Sequence, residues 1–154
     1  MKQKPLIQFK NIFLKFNKKT ILENFNLEIF PQDKIVITGP SGIGKSSLFN
    51  LLLGLKQAQS GDIFFKNKKI TAKNIQSLRS QIAYLDQDVS LGSDKVKNLI
   101  VDYFDFKVNQ NKKVTPKKLE KLFAEFYLDL DTLDKHINQL SGGERQRLGL
   151  IIAL

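Results

Sequence analysis

From Gly39 to Ser46 the chain reads Gly-Pro-Ser-Gly-Ile-Gly-Lys-Ser, with a second serine, Ser47, directly behind. Gly39, Gly42 and Gly44 let the backbone curl so that successive N–H groups point inward, an arrangement that binds phosphate oxygens. Pro40, Ser41 and Ile43 complete the turn. Lys45 is placed to reach the outer phosphates of a nucleoside triphosphate, and Ser46 to offer its hydroxyl to Mg2+. Such a loop needs a strand before it and a helix after it, because the helix adds free N-terminal donors and the positive end of its dipole. A chance match to the pattern arises in about one chain of this length in a hundred, so phosphate binding is the reading.

A second candidate is Leu140-Ser-Gly-Gly-Glu-Arg-Gln-Arg147. Ser141 and Glu144 have the spacing of a capping box, serine at the N-cap and glutamate three residues on. Capping explains those two residues but not Gly142 and Gly143, since a glycine inside a helix costs roughly 1 kcal/mol against alanine. Close approach of the backbone to a phosphate does explain them. Gln87 taken alone is an ordinary surface amide, and Phe16 is an aromatic in an apolar run, a core residue as readily as a ligand-stacking one. Cysteine is absent and His136 is the single histidine, which excludes a disulfide framework, thiolate metal sites and a histidine-rich metal centre.

Several elements must position these residues. Period-two runs at Leu6–Phe9, Ile12–Phe16 and Phe25–Phe30 predict antiparallel strands with turns at Asn17–Lys19 and Pro31–Asp33. Lys34–Thr38 predicts a strand buried on both faces, as in a parallel sheet, leading into the glycine loop. A helix over Lys45–Leu55 follows, then a strand at Asp62–Phe65, a turn at Asn67–Lys69, a short helix ending near Arg79 and a buried strand at Ile82–Leu85. Beyond Asp86 the character turns helical. Thr115 is placed to cap a helix with Pro116 in its first turn, and Leu119, Leu122, Phe123, Phe126 and Tyr127 form one apolar stripe.

Read with its flanks, Gly39–Ser47 resembles the Walker A loop of an ABC-type ATPase, and Leu140–Arg147 is similar to the ABC signature, with glutamate at Glu144 where many members have glutamine. The resemblance runs from Leu6 to Leu154. It implies an α/β fold, the P-loop NTPase of ABC type, with a mixed sheet, an N-terminal antiparallel β subdomain and an inserted helical subdomain, the C-terminal part missing. On that reading residues 1–154 are a partial ABC ATPase domain: 1–86 carry the β subdomain and Walker A core, 87–140 the helical subdomain and 141–154 the signature helix. It implies ATP with Mg2+ as ligands, Lys45 and Gln87 as catalytic residues, Ser46 and Gln87 at the metal, and Phe16 against adenine. Ser141, Gly142, Gly143 and Glu144 are expected to meet the nucleotide of a second subunit, in a homodimer or with a paired ABC ATPase. The implied role is the ATP-binding subunit of a bacterial-type transporter. It is peripheral on the cytoplasmic face of the cell membrane and coupled to a separate permease through a surface around Gln87–Val101 that includes Val89, Leu91 and Val96. The stretch Thr115–Arg147 looks most like small stand-alone members, with a tail similar to a metal-export type.

No apolar run is long enough to span a bilayer. The net charge of +10 fits nucleic acid, anionic lipid or nucleotide, but the lysines are scattered and not interleaved with aromatics as in a base-stacking surface, which disfavours nucleic acid. The alternatives are a non-transport ABC ATPase acting on nucleic acid or the ribosome, and a non-hydrolytic nucleotide-binding fragment. In the family a Walker B Asp, a catalytic Glu and a switch His follow the signature; none lies in the 13 residues after Ser141, and His136 precedes it. These residues alone are therefore expected to bind nucleotide without appreciable turnover.

Overall fold

The computed structural model describes residues 3–86, 89, 91–106, 109 and 115–153. The chain forms two compact units, Met1–Ile82 and Ala83–Leu154.

In the N-terminal unit, β1 (Ile7–Phe16), β2 (Lys19–Ile29), β3 (Ser60–Phe65) and β4 (Lys68–Lys69) form one antiparallel sheet in the order β2-β1-β3-β4. The runs Leu6–Phe9 and Ile12–Phe16 join into the single strand β1. Asn11, between them, takes a left-handed φ of 51° and shifts the register against both neighbours, so Phe9 and Ile12 face the core although three positions apart. Lys66 and Asn67, both at positive φ, make the tight β3–β4 turn, and Lys68 and Lys69 lie in β4 instead of the turn. Helix α1 (Lys45–Leu52) packs Leu48, Leu51 and Leu52, spaced i, i+3, i+4, onto Phe9, Ile12 and Leu14 of β1. Its last turn closes on Gly54 at φ +64°, with Leu55 N–H bonded to Asn50 O at 2.8 Å and Gly54 N–H to Leu51 O at 3.1 Å. Helix α2 (Ile75–Arg79) follows.

Two predicted strands are absent. Lys34–Thr38 has no regular secondary structure and pairs with no strand among the described residues; Val36 is 84% exposed and Ile35 44%, while Ile37 rests on the core. Ile82–Leu85 likewise forms no strand, with Tyr84 41% exposed. A strand of a parallel sheet takes its backbone hydrogen bonds from neighbours on its edges, and no described segment lies in ladder with either. The apolar runs were legible; their burial on both faces was not correct for this chain.

In the C-terminal unit, α3 (Val96–Asp105), α4 (Pro116–Glu125) and α5 (Gly142–Ala153) and two 3-10 turns (Leu130–Asp134 and Ile137–Gln139) enclose Val96, Ile100, Phe123, Leu128, Ile137, Leu140, Leu148 and Ile151. Thr115 Oγ1 accepts from Lys118 N–H at 3.3 Å, with Pro116 at the first helical position, as expected. The stripe on α4 ends one residue early. Tyr127 lies past the helix at φ +53° and is 88% exposed, and Leu128 takes the core position in its place. Val96 N–H bonds Lys135 O and Ile137 N–H bonds Asp94 O, tying the start of α3 to the His136 turn, whose ring Nδ1 faces Ser93 O at 3.3 Å.

Within the expected docking surface, Val96 is fully buried, Leu91 packs on the core, and Val89 stands against α5 at Gly149, so these three are packing residues, while Val101 is 57% exposed.

Candidate functional site

The glycine loop follows Lys34–Thr38 and ends at the first turn of α1. Gly42 has φ +76°, with open space where a side chain would stand. Gly44, the N-cap of α1, has φ +112°, and a Cβ there would collide with Ile21 of β2. Only glycine serves both needs at Gly44, a left-handed backbone and close contact with the strand. Pro40 O accepts from Ile43 N–H at 3.4 Å, and Gly44 O accepts from Ser47 N–H at 2.9 Å.

Lys45 reaches back over this turn. Its Nζ donates to Gly39 O at 2.7 Å and to Pro40 O at 2.9 Å, so the ammonium is held at the loop by two carbonyls that phosphate oxygens can replace. Helix α1 has no side-chain cap and no acidic residue in its first turn. Apart from Ser47 N–H, which bonds Gly44 O, its N-terminal donors have no cap, and no acidic side chain of its first turn offsets the positive end of its dipole, which favours an anion there. Ser41 and Ser46 are exposed, and Ser47 and Lys45 are half-buried.

Phe16 ends β1 opposite Lys19 and is 62% exposed, so it is not a core residue. The strand links it to the loop: Ile21, which touches Gly44, lies two residues beyond Lys19, about 7 Å along β2. Gln87 lies outside the described residues.

The second candidate forms the start of α5. Ser141 N–H donates to Glu144 Oε2 at 2.7 Å and Glu144 N–H to Ser141 Oγ at 3.3 Å, the reciprocal capping box. The Ser141 hydrogen bonds hold the Glu144 carboxyl below the usual glutamate range, with smaller help from Lys135 and Arg147. A Cβ on Gly142 would meet nothing within 4 Å, and one on Gly143 only the Arg147 guanidinium at 3.5 Å. Neither glycine is required by packing among the described residues. Arg147 Nε is itself buried without a hydrogen-bond partner among the described residues, a feature no motif announced. Lys56 and Gln59, which hold Phe16, were also missed, because they lie some 40 residues from it in sequence.

The family model described as ABC transporter matches residues 22–154. The chain belongs to that family. It is 33% identical over 153 residues to the ergothioneine transport ATP-binding protein EgtV of Helicobacter pylori, with 96% of this chain and 68% of that protein covered. Against the probable iron export ATP-binding protein FetA of Escherichia coli it is 31% identical, covering 96% of this chain and 64% of the relative. The chain thus spans about two thirds of these relatives. Among solved structures, cbiO1 of Clostridium perfringens, part of the ABC transporter complex cbiONQ, superposes with a TM-score of 0.77 at 25% identity, over 99% of this chain and 62% of that one. A dimeric ATP-binding cassette bound to ADP and Pi gives a TM-score of 0.75 at 24% identity, over 96% and 68%. The fold is therefore the α/β fold of ABC nucleotide-binding domains. No described helix is long and apolar enough to cross a membrane.

Proposed function

We propose that the chain binds ATP with Mg2+ at Gly39–Ser47 and acts, as one of a pair, as the ATP-binding subunit that drives a separate membrane permease from the cytoplasmic face. Domain roles follow the expected division, 1–86 for the nucleotide core, 87–140 for the helical subdomain and 141–154 for the signature helix. The carrying observation is the contrast between two sites in one chain. The Walker A loop holds its lysine over an anion-ready turn. The signature turn places two glycines in a helix where no neighbour among the described residues demands them.

Ser46 offers a hard oxygen in the first turn of α1, the donor type that suits Mg2+ held largely through phosphates. When bound, the ion neutralises charge on the β- and γ-phosphates. Lys45 then exchanges the Gly39 and Pro40 carbonyls for phosphate oxygens, the α1 N-terminus supplies further donors, and Phe16 offers a face to the base. Gln87 is assigned to the metal and attacking water by its resemblance to the Q-loop glutamine of the family. The signature backbone of the second copy closes over the γ-phosphate at Gly142 and Gly143, with Ser141 and Glu144 fixing that turn. Glu144, the one acidic side chain after Ser141 in the sequence, serves as a cap.

The test is a pair of variants. Lys45→Ala lowers ATP affinity at least tenfold by calorimetry. Gly142→Ala with Gly143→Ala raises the thermal midpoint, since each change removes roughly 1 kcal/mol of helix penalty, yet abolishes ATP-dependent dimerisation in light scattering. A double variant that is more stable and still dimerises with ATP would remove the signature role.

A further inference from the structure

Phe16 is held from one side by a single short segment. Gln59 N–H donates to Phe13 O at 3.0 Å. The Gln59 side chain then brackets the next peptide, its Oε1 accepting from Lys15 N–H at 2.8 Å and its Nε2 donating to Lys15 O at 3.1 Å. Both polar groups of Lys15, the residue before Phe16, are fixed by one amide. Three residues earlier, Lys56 places Nζ 5.4 Å from the centroid of the Phe16 ring, inside the range at which a cation is attracted to an aromatic face. Lys56 is itself anchored, its N–H bonded to Asn50 O at 3.1 Å at the closing turn of α1. The helix that begins at the phosphate loop thus ends by delivering the groups that hold Phe16.

We propose that Lys56 and Gln59 are positioning residues for nucleotide binding. Gln59 fixes the strand end, and Lys56 covers one face of Phe16, leaving the other as the platform on which the base stacks. This rests on the reading of Phe16 as the base-stacking residue. A cation on one face draws electron density from the ring, which favours stacking of an electron-rich purine on the opposite face. It also leaves a single face for the base to find.

The two ligands to compare are ATP and inorganic tripolyphosphate, titrated into the full chain by calorimetry. Tripolyphosphate reads the phosphate loop alone and reports that each variant is folded. Phe16→Ala weakens ATP about tenfold and leaves tripolyphosphate unchanged. Lys56→Ala weakens ATP about two- to fivefold, Lys56→Arg restores it, Gln59→Ala weakens ATP in the same sense, and none of the three alters tripolyphosphate. In the Phe16→Ala background, Lys56→Ala has no further effect. The proposal is overturned if Lys56→Ala tightens ATP, which would place Lys56 on the base's own face. Equal weakening of both ligands overturns it too, making Lys56 a plain phosphate cation, as does no change while Phe16→Ala weakens ATP. An unchanged ATP affinity in Phe16→Ala strikes the base-platform reading itself, and the role of Lys56 falls with it.

Discussion

Helix α5 carries three glycines, and the reasons for them are opposite. Gly149 sits mid-helix because a Cβ would strike Leu85 and come within 3.1 Å of Val89; packing inside the unit demands it. Gly142 and Gly143 meet no such demand among the described residues, so packing of those residues does not explain them. The turn they occupy is held by Glu144, and this can be tested through pH. The hydrogen bonds from Ser141 hold the Glu144 carboxyl below its ordinary value of 4.5, and the ionised form also complements the positive end of the α5 dipole. A carboxyl with a depressed folded value contributes stability that is fully present above the unfolded value and is lost as pH falls through the folded one. Wild type therefore melts higher than Glu144→Gln at neutral pH, and the gap closes as pH drops below 4.5. Thermal midpoints across pH decide it; a gap of constant size would mean that hydrogen-bonding shape matters and charge does not.

At the scale of elements, α1 and α4 end by the same motif with different residues. After α4, Leu128 N–H bonds Phe123 O at 2.9 Å and Tyr127 N–H bonds Ala124 O at 3.1 Å, while Leu128 and Phe123 meet in the core. Gly54 fills the left-handed position after α1; Tyr127 fills it after α4 at φ +53° and 88% exposed. A bulky residue there bears a cost that glycine avoids. Tyr127→Gly should thus stabilise the C-terminal unit by about 1 kcal/mol, read as a higher urea midpoint with unchanged slope; a lower midpoint would show that the ring makes a stabilising contact. Tyr127 also marks where sequence reading stopped working. The apolar stripe, the Thr115 cap and the Ser141–Glu144 box were legible because each depends on residues within one turn. The end of the stripe was not, since Tyr127 and Leu128 are both apolar enough to continue it, and only the chain reversal decides between them. Lys34–Thr38 and Ile82–Leu85 failed for a longer-range reason: composition announces a strand, but pairing belongs to a neighbour. For the site, loop chemistry was legible because it is contiguous, whereas the Lys56–Phe16 contact joins segments that share no local pattern.

For the whole molecule, the net charge is unevenly placed. Residues 1–82 contain 14 Lys or Arg against 4 Asp or Glu, while residues 83–154 contain 11 of each. The entire +10 thus belongs to the unit that holds the phosphate loop, which the scatter of lysines along the sequence concealed. A field of that sign raises the local concentration of an anionic ligand and its association rate, and salt screens it over about 10 Å at 0.1 M. Nucleotide association should therefore slow severalfold between about 50 and 300 mM salt, with dissociation much less affected. The cause can be isolated with Lys10, Lys68 and Lys73, which are exposed and lie outside the loop. Changing all three to Gln should lower the association rate for ATP about twofold at low salt and leave the dissociation rate alone, as measured by stopped-flow. An unchanged association rate would mean that only the loop's own donors matter. If instead a single-stranded DNA oligonucleotide binds with a steeper salt slope than ATP, and the same triple change removes that binding, the charge serves a polyanion and not the nucleotide. The distribution of exposed lysines argues for the first outcome. Lys69 is paired with Asp62, Lys56 is committed to Phe16, and Lys10 faces Asp62 across the sheet, so Asp62 interrupts the surface that a continuous backbone of phosphates would have to follow.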